Sequence, residues 1–428
     1  MPTLSGKEIL EDLRWRGLLA QSTDEAELIK SFDEGRVTAY IGFDPTAPSL
    51  HVGNLVALLV LRRLQLAGHR PIGLVGGSTG LVGDPSGRSS ERTLNETELV
   101  EEWVAKIRRQ VERFLDFSDI PNAAIIANNF DWTKDVPVLS FLRDVGKYFS
   151  VNQMISKDSV SSRMESGGIS YTEFSYQILQ AFDYLELFRL YGCTLQMGGS
   201  DQWGNITAGL DLIRKVEQVS AHALTVPLLT KSDGTKFGKT ASGSVWLDAD
   251  LTSPYAFYQY WISTDDRDVI SFLKIFTFLS RTEIQEIEES HVQAPERRIA
   301  QTRLARDLTT LVHGEDACNH VEAASQALFG RGDLSSLDSA TLAAALSQVP
   351  QTKVEGNAPW GSLADLMAAT GIVESKSAAR RAIKEGGAYL NNAKIQDENF
   401  EPGTDDLIHG MFLVLRRGKR EIGAVFVK

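Results

Sequence analysis

The sequence predicts an α/β fold: a doubly wound parallel sheet, followed by an α-helical part and a small α+β part. Three observations predict it. Short branched apolar runs alternate with helical stretches over about the first 250 residues. Residues 253–329 are helical by pattern, and a compact mixed segment spans residues 360–428. The alternation is typical of a Rossmann-like doubly wound domain, whose ligands bind beyond the carboxyl ends of the strands.

The first elements of the chain follow the order helix, strand, helix, strand. Residues 4–20 have the apolar spacing of an amphipathic helix, and the apolar run 37–43 indicates a buried strand. Two prolines then predict a loop, and leucines at helical spacing predict a helix over 50–67. The run 72–75 indicates the next strand, followed by the glycine-rich loop 76–80. This order predicts a right-handed parallel unit.

Two more buried strands are predicted, at 124–127 and 194–197. The intervening helical stretches are 95–116, 138–148 and 172–191. The predicted domains are a Rossmann-like catalytic domain (1–250), an α-helical domain (251–330), a linker rich in Gly, Ser and Asp (331–358), and a small α+β domain (359–428).

The composition is that of an ordinary globular protein, with 43% of 428 residues hydrophobic and 23% charged. No run of about 18 apolar residues occurs, so we expect no membrane span, and residues 1–11 show no secretory signal. Cys193 and Cys318 are far apart without C-x-x-C spacing, which disfavours a disulfide framework or a zinc site and fits a reducing cytosol. The net charge of −12 does not exclude a local basic patch, because residues 360–428 carry about +1 (10 Lys/Arg minus 9 Asp/Glu).

The first segment with recognisable chemistry joins the strand at 37–43 to the next helix. His51 stands near the start of that helix, where free backbone N–H groups and the helix dipole favour a phosphate. Thr46 can offer a hydroxyl to the same phosphate, and Gly53 lets a group such as a purine ring lie flat against the backbone. Taken alone, His51 is more often a helix cap and Gly53 a packing position.

The second segment is Lys236-Phe237-Gly238-Lys239-Thr240, which begins 185 positions after His51 (236 minus 51). Lysines in such a polar, glycine-containing loop can stabilise the charge that develops when pyrophosphate leaves a triphosphate. Taken alone, Lys-x-x-Lys is more often a solvated loop. The combination of the two segments is what favours phosphate chemistry.

The two segments, in this order, resemble the signatures of class I aminoacyl-tRNA synthetases, and nearly the whole chain resembles the tyrosyl-tRNA synthetases of bacterial type. Family members carry His-x-Gly-His or His-x-Gly-Asn first and Lys-Phe-Gly-Lys-Ser/Thr second, and this chain has the Asn54 and Thr240 forms. The resemblance implies catalytic roles for Thr46, His51, Lys236, Lys239 and Thr240. It implies ATP or adenylate contacts from Gly42, Asp44, Gly53, Asn54, Gly199 and Asp201, the last two on the ribose.

A polar stripe on the predicted helix 172–191 indicates an amino-acid pocket. Tyr176, Gln180 and Asp183 fall at i, i+4 and i+7, on one helical face. Spacing alone leaves a solvated stripe equally open. The resemblance implies that Tyr176 and Gln180 hold the amino group of tyrosine. It also implies that Asp183, helped by Tyr40, accepts a hydrogen bond from the phenolic hydroxyl.

Two glycine-containing loops provide further candidates. The resemblance implies that Asp84, after the loop 76–80, pairs with the ammonium group of tyrosine. It implies that Gln202 contacts the carboxyl group of the same substrate. The Gly-Gly-Ser sequence before Asp201 is common in ordinary loops, so the assignments in that segment depend on the resemblance.

The C-terminal segment carries a local concentration of positive charge. Its candidates for tRNA binding are Lys376, Arg380, Arg381, Lys384 and Lys394. A basic face within a net acidic protein suggests phosphate contact, although a solvated helix face stays open. The pattern resembles the small RNA-binding module named after a ribosomal small-subunit protein, which favours RNA.

The resemblance implies a two-step reaction. Tyrosine attacks the α-phosphate of ATP, giving tyrosyl-adenylate and pyrophosphate, and the 3′-terminal adenosine of tRNA(Tyr) then takes the acyl group. ATP is expected with Mg²⁺ held by phosphates and water, and no protein-bound metal is expected. We expect a cytoplasmic homodimer, with the apolar segment 132–155 as the candidate interface.

Two other functions remain as alternatives at this point. Tryptophanyl-tRNA synthetases share the fold and both signatures, although the Asp183 and Tyr40 pair and the C-terminal module disfavour them. A non-catalytic RNA-binding protein on the same scaffold is disfavoured by the joint presence of His51, Lys239 and Asp201 with the other catalytic candidates. Amino-acid-dependent ATP–pyrophosphate exchange distinguishes all three functions.

Overall fold

The computed structural model describes residues 4–86, 95–166, 168–235, 237–240, 243–330, 332–418 and 421–428. The chain forms two compact units. The first unit contains residues 1–248 and 265–300, and the second contains residues 249–264 and 301–428.

Strands and helices alternate through the first unit, and strands return in the last part of the second unit. The strands are β1 (Gln21–Ser22), β2 (Thr38–Phe43), β3 (Arg70–Val75), β4 (Ile125–Asn128), β5 (Cys193–Gly199), β6 (His222–Val226), β7 (Lys239–Thr240), β8 (Gly243–Ser244), β9 (Gln351–Val354), β10 (Ala388–Leu390), β11 (Ala393–Lys394), β12 (Phe412–Arg417) and β13 (Glu421–Val427).

The helices of the described residues cover the stretches predicted from apolar spacing, with bounds that differ by a few residues. They are α1 (Gly6–Trp15), α2 (Glu25–Glu34), α3 (Val52–Leu66), α4 (Thr79–Val82), α5 (Thr97–Glu112), α6 (Phe130–Thr133), α7 (Val138–Asp144), α8 (Val151–Ile155), α9 (Asp158–Ser166), α10 (Tyr171–Tyr191), α11 (Trp203–Glu217), α12 (Pro254–Ile262), α13 (Val269–Phe276), α14 (Arg281–Gln293), α15 (Ile299–His313), α16 (Glu315–Leu328), α17 (Ser339–Leu346), α18 (Leu363–Thr370) and α19 (Lys376–Lys384).

The first unit is built on a sheet with the strand order β1-β6-β5-β2-β3-β4. All neighbours from β6 to β4 are parallel, and β1 is antiparallel to β6. The predicted strands are present as β2, β3, β4 and β5, and the predicted α/β class is confirmed. The sequence patterns did not indicate β6, a short buried strand with a histidine at its start. The carboxyl ends of β2, β3 and β5 lie at one edge of the sheet, where a ligand site is expected.

The core of the first unit continues from the sheet into helices α10 and α11. Tyr40 of β2 is 1% exposed, and its ring centroid lies 5.3 Å from that of the fully buried Tyr184 on α10. The Tyr184 hydroxyl donates a 2.9 Å hydrogen bond to the carbonyl of His222 on β6. Because α10 is fixed to the sheet in this way, the polar side chains along it have defined positions.

The second unit combines helices with a sheet of order β11-β10-β12-β13-β9. Strand β9 is parallel to β13, and the other neighbours are antiparallel. Asn391 and Asn392 connect β10 to β11 with φ angles of 48° and 67°, as a two-residue hairpin turn requires. Helices α18 and α19 pack on this sheet around a common apolar cluster.

The stretch 331–358, predicted to be a linker, contains α17 and β9 in the structure. Because β9 pairs with β13, part of that stretch belongs to the C-terminal sheet. Residues 265–300, predicted to belong to the helical domain, lie in the first unit with α13 and α14. The division of the chain into four functional domains stays a prediction.

Helices in the described part of the chain are too short or too polar to cross a lipid bilayer.

Candidate active site

The loops that follow β2, β3 and β5 bring most of the predicted site residues to one edge of the sheet. Asp44 follows β2, and Thr79 and Asp84 follow β3. Gly199 ends β5, and Asp201 stands just beyond it. Helix α10 lines the same region with Tyr176 and Asp183.

Asp183 forms the buried carboxylate of the pocket. It is 3% exposed, and its two oxygens each accept a 3.0 Å hydrogen bond, Oδ1 from the indole N–H of Trp132 and Oδ2 from the amide of Asn129. Burial raises the pKa of Asp183 from 3.8 to about 7, against the lowering effect of these two donors, and the charge of Asp44 raises it further. Asp183 is therefore a buried acceptor whose protonation changes near neutral pH.

The hydroxyl of Tyr40 is buried, and it has no hydrogen-bond partner among the described residues. Burial raises the pKa of Tyr40 well above its ordinary value, and the charge of nearby Asp183 acts in the same direction. A buried hydroxyl without a partner costs free energy, of the order of 1–3 kcal/mol for such groups. A ligand hydroxyl placed between Tyr40 and Asp183 would satisfy both.

A continuous chain of hydrogen bonds connects this end of the pocket to Asp44. The amide of Asn129 donates to Thr79 Oγ1 at 3.0 Å, and Thr79 Oγ1 donates to Asp44 Oδ1 at 2.6 Å. The Tyr176 hydroxyl donates to Asp44 Oδ2 at 2.7 Å. Because its proton is directed at Asp44, the lone pairs of the Tyr176 oxygen can accept from an ammonium group. Asn129, Thr79 and Trp132 were not among the predicted site residues.

Asp84 and Gln202, predicted to bind opposite ends of an amino acid backbone, are in direct contact. Gln202 Nε2 donates to Asp84 Oδ2 at 2.6 Å, and Asn205 donates to Gln202 Oε1 at 3.1 Å. Burial raises the pKa of Asp201, and the charge of Asp84 raises it further. Several carboxylates thus surround this part of the site and favour a cationic group.

His51 is the N-cap of α3, so the helix places it where it was predicted. Its Nδ1 accepts a 3.0 Å hydrogen bond from the backbone N–H of Gly53, while Asn54 Oδ1 accepts from the His51 backbone N–H. Burial lowers the pKa of His51, and the positive charge of Lys239 lowers it further. The neutral ring with an acceptor at Nδ1 carries its proton on Nε2, which leaves Nε2–H as a donor for a ligand.

Gly53 is explained by His51 itself. A Cβ at position 53 would lie 2.7 Å from His51 Cε1 and 2.9 Å from Nδ1, so only glycine lets the imidazole cap the helix in this way. The glycine and the histidine of the first segment are therefore one structural unit. The predicted contact of a purine ring with Gly53 stays a prediction.

The described part of the second segment lies against the first. Gly238 has a φ of 78°, and a Cβ added there would lie 3.0 Å from Val52 Cγ2. Its carbonyl accepts from the N–H of Val245, whose own carbonyl accepts from the N–H of Val52, both at 3.0 Å. Lys239 and Thr240 are exposed in β7. Lys236 lies outside the described residues.

The remaining predicted residues are more exposed than Asp183 and Tyr40. Gly42 and Thr46 are exposed, and Gln180 is half-buried on α10. The described residues contain no group of three His, Cys, Asp or Glu side chains suited to hold a metal ion.

Comparisons with known proteins identify the family of the chain. The family described as "tRNA synthetases class I (W and Y)" matches residues 33–330, and the "Tyrosine--tRNA ligase SYY-like C-terminal domain" matches residues 341–424. The tyrosine–tRNA ligase of Streptomyces avermitilis is 60% identical over 98% of this chain and 99% of that relative. The Streptomyces coelicolor enzyme of the same name is 57% identical, and 98% of each chain is covered.

The chain belongs to the tyrosine–tRNA ligase family. It is a ligase that joins tyrosine to tRNA(Tyr) with ATP as substrate. A solved structure of a C-terminally truncated mitochondrial tyrosyl-tRNA synthetase from Aspergillus nidulans is 33% identical with a TM-score of 0.68. That comparison covers 75% of this chain and 96% of the solved one.

In this ligase the predicted tRNA-binding side chains are exposed on one part of the second unit. Lys376, Arg380, Arg381 and Lys384 lie on α19, whose opposite face buries Ala379, Ala382 and Ile383. Lys394 is exposed on β11. Lys376 makes an ion pair with Asp365, so part of its charge is already compensated.

Proposed function

We propose that this ligase binds the side chain of tyrosine between Tyr40 and Asp183. The observation that supports the proposal is the buried Tyr40 hydroxyl, which has no partner among the described residues and lies close enough to Asp183 for the two to interact. A phenol bound there donates to Asp183 and accepts from Tyr40. Phenylalanine would leave both buried groups unpaired, which is the stronger form of discrimination.

The amino and carboxyl groups of tyrosine would lie toward the carboxyl ends of the strands. Tyr176, with its proton committed to Asp44, offers lone pairs to the ammonium group, and Asp84 offers a charge-assisted contact. Gln180 would complete the ammonium site from the next turn of α10. Gln202 would exchange part of its bond to Asp84 for the substrate carboxylate.

The adenylate would form at the start of α3. The tyrosine carboxylate is already an anion and attacks the α-phosphate, so the step needs positioning and charge stabilisation rather than a general base. His51 donates from Nε2, Thr46 from its hydroxyl, and Lys236, Lys239 and Thr240 act on the departing pyrophosphate. Gly42, Asp44, Gly53, Asn54, Gly199 and Asp201 would hold the adenosine. Mg²⁺ would arrive with ATP, held by phosphate oxygens and water.

The second step would use the C-terminal module to hold tRNA(Tyr). The exposed cations of α19 and Lys394 would contact backbone phosphates, because phosphate contacts fix the position of a nucleic acid without reading its sequence. The helical part of the second unit would contact the part of the tRNA that carries the anticodon.

Two further proposals concern the state of the protein in the cell. A homodimer would cover the apolar side chains exposed after α6, among which Val138 is 72% and Leu139 81% exposed. A cytoplasmic location is supported by the free thiols of Cys193 and Cys318, both buried.

ATP–pyrophosphate exchange with tyrosine, tryptophan and phenylalanine tests the pocket. We expect exchange with tyrosine, and Asp183→Ala is expected to lose at least about tenfold in kcat/KM for tyrosine, since a hydrogen bond to a charged group is lost. The same variant should keep the KM for ATP. Normal tyrosine activation and normal rejection of phenylalanine by Asp183→Ala would contradict the assignment.

A further inference from the structure

Phe237, between the two lysines of the second signature, is anchored in an aromatic cluster of the first unit. Its ring stacks on Phe276 with centroids 5.3 Å apart and meets Phe272 edge-on at 5.1 Å. Phe276 is fully buried, Phe272 is 5% exposed, and both belong to α13. Such aromatic pairs contribute beyond the area they bury. The loop is therefore attached to α13 immediately before Gly238.

The backbone then leads from this anchor to the start of α3. Gly238 packs on Val52, and the hydrogen bonds through Val245 connect the same two residues. Lys239 follows, near enough to His51 for its charge to lower the pKa of the ring. A change in the position of Phe237 would thus be transmitted over two residues to Lys239.

Helix α13 is also bound to α3, through the side chain of Arg63. Arg63 of α3 donates to the carbonyl of Ile275 at 3.4 Å and also to that of Thr277, and its guanidinium lies 4.7 Å from the ring centroid of Phe278. Burial lowers the pKa of Arg63 to about 9, with the charge of Arg16 acting in the same direction.

Arg16, the residue directly after α1, binds the same end of α13. It donates to the carbonyls of Lys274, Thr277 and Leu279 at 3.0, 3.2 and 2.9 Å. Cations are favoured at the C-terminal end of a helix, because the helix dipole is negative there. Helix α3 therefore carries His51 at one end and, through Arg63, holds the helix on which Phe237 rests.

We infer that Phe237 is a positioning residue for the adenylation step: its stacking on α13 sets the place of Gly238 and Lys239 against the start of α3. The inference deepens the function proposed above and rests on it, since Lys239 must act on ATP for its placement to matter. If Phe237 only filled the core, replacing it would reduce stability and tyrosine affinity as much as it reduces the reaction of ATP.

Phe237→Leu separates these roles. We expect kcat/KM for ATP in pyrophosphate exchange to fall about tenfold, the order that one well-packed aromatic pair contributes. The Kd for tyrosine without ATP should stay at its wild-type value, and the unfolding midpoint should fall only by the small amount expected for one lost aromatic contact. Phe237→Tyr keeps the ring and, since Phe237 is only half-buried, should retain activity close to wild type. Phe117→Leu, at an exposed phenylalanine of the same unit, is the matched control.

A double-mutant cycle tests the contact itself. In a Phe276→Leu background the effect of Phe237→Leu on ATP kinetics should largely disappear, because the shared contact is already lost. Phe272→Leu serves the same purpose where the Phe276 variant does not fold. Unchanged ATP kinetics in Phe237→Leu, an equal loss of tyrosine affinity, or an equal loss in Phe237→Tyr would overturn the inference. Failure of the wild-type chain to catalyse tyrosine-dependent exchange would instead remove the proposed function.

Discussion

Trp132 donates its indole N–H to Asp183 Oδ1 at 3.0 Å, which joins the segment after β4 to the buried face of α10. This bond opposes the effect of burial on the carboxylate, because a donor favours the charged form. Burial has the largest effect on the pKa of the residue proposed to recognise the tyrosine hydroxyl, and a side chain from a different element partly offsets it.

Trp132→Phe should weaken tyrosine binding while preserving the packing of the ring. Because this donor favours the ionised form of Asp183, its loss should leave less of the carboxylate ionised near pH 7, and the Kd for tyrosine should rise severalfold. Isothermal titration calorimetry measures it, with Trp103→Phe on α5 as the matched control. Equal affinities for the Trp132 variant and wild type would show that Asp183 does not depend on this donor.

Tyrosine affinity should depend on pH through Asp183. With a pKa of about 7, the carboxylate is mostly protonated at pH 6 and mostly ionised at pH 8, so the affinity should rise over this range and level off above it. Trp132→Phe should move the midpoint upward, because it removes a donor that lowers this pKa. An affinity independent of pH from 6 to 8 would contradict the assigned role.

The same shift predicts a pH dependence of stability. The folded protein holds the Asp183 proton up to about pH 7, whereas the unfolded chain releases it near 3.8. Between these values the native state binds more protons, so Asp183 lowers the free energy of unfolding as pH rises. Asp183→Asn should remove this slope in denaturant titrations across the window, and an unchanged slope would count against the raised pKa.

Tyr40→Phe should reduce tyrosine affinity without reducing stability. The hydroxyl has no partner among the described residues, so its removal should leave the free energy of unfolding unchanged or raise it by up to about 1 kcal/mol. The loss of one neutral hydrogen bond to bound tyrosine should cost roughly 0.5–1.5 kcal/mol of binding. Urea unfolding and tyrosine titration of the same preparation check both halves, and a destabilised variant with normal affinity would contradict the proposal.

Arg380→Glu and Lys384→Glu should raise the KM for tRNA and leave pyrophosphate exchange unchanged. Each phosphate contact that is lost should also reduce the slope of log affinity against log salt by about one. Lys376→Gln should have a smaller effect, because Asp365 already pairs with Lys376. Normal aminoacylation kinetics in the Arg380 and Lys384 variants would remove α19 from the tRNA surface.

How far the site could be predicted depends on whether its signals are local. Helical spacing places Asp183 and Tyr176 on one face, and His51 stands at a predicted helix start, but their assignment to a site also needed the resemblance to a known family. Asn129 and Trp132 could not be identified in this way. Their roles arise from contacts with α10 across more than 50 positions, and the Asn-Phe-Asp-Trp sequence after β4 has no periodicity that marks them.

The fold shows the same limit. The strands β2 to β5 were predicted because each is a short apolar run in alternation with helices. Strand β9 was assigned to a linker because residues 331–358 are rich in Gly, Ser and Asp, and only its pairing with β13 makes Gln351–Val354 a strand. Residues whose structure depends on a distant partner give no local signal.

That pairing of β9 with β13 also has a consequence for how the C-terminal module assembles. Gln351 faces Ala424, so 73 positions (424 minus 351) must be in place before this edge of the sheet can close. Closing so long a loop is slow compared with forming hairpins such as β12–β13. During synthesis β9 would have no pairing partner until β13 has been made. A chain cut after residue 355 would leave the backbone of β9 unpaired permanently. A truncated variant for separating activation from charging should therefore end before β9, so that no unpaired strand remains to promote aggregation.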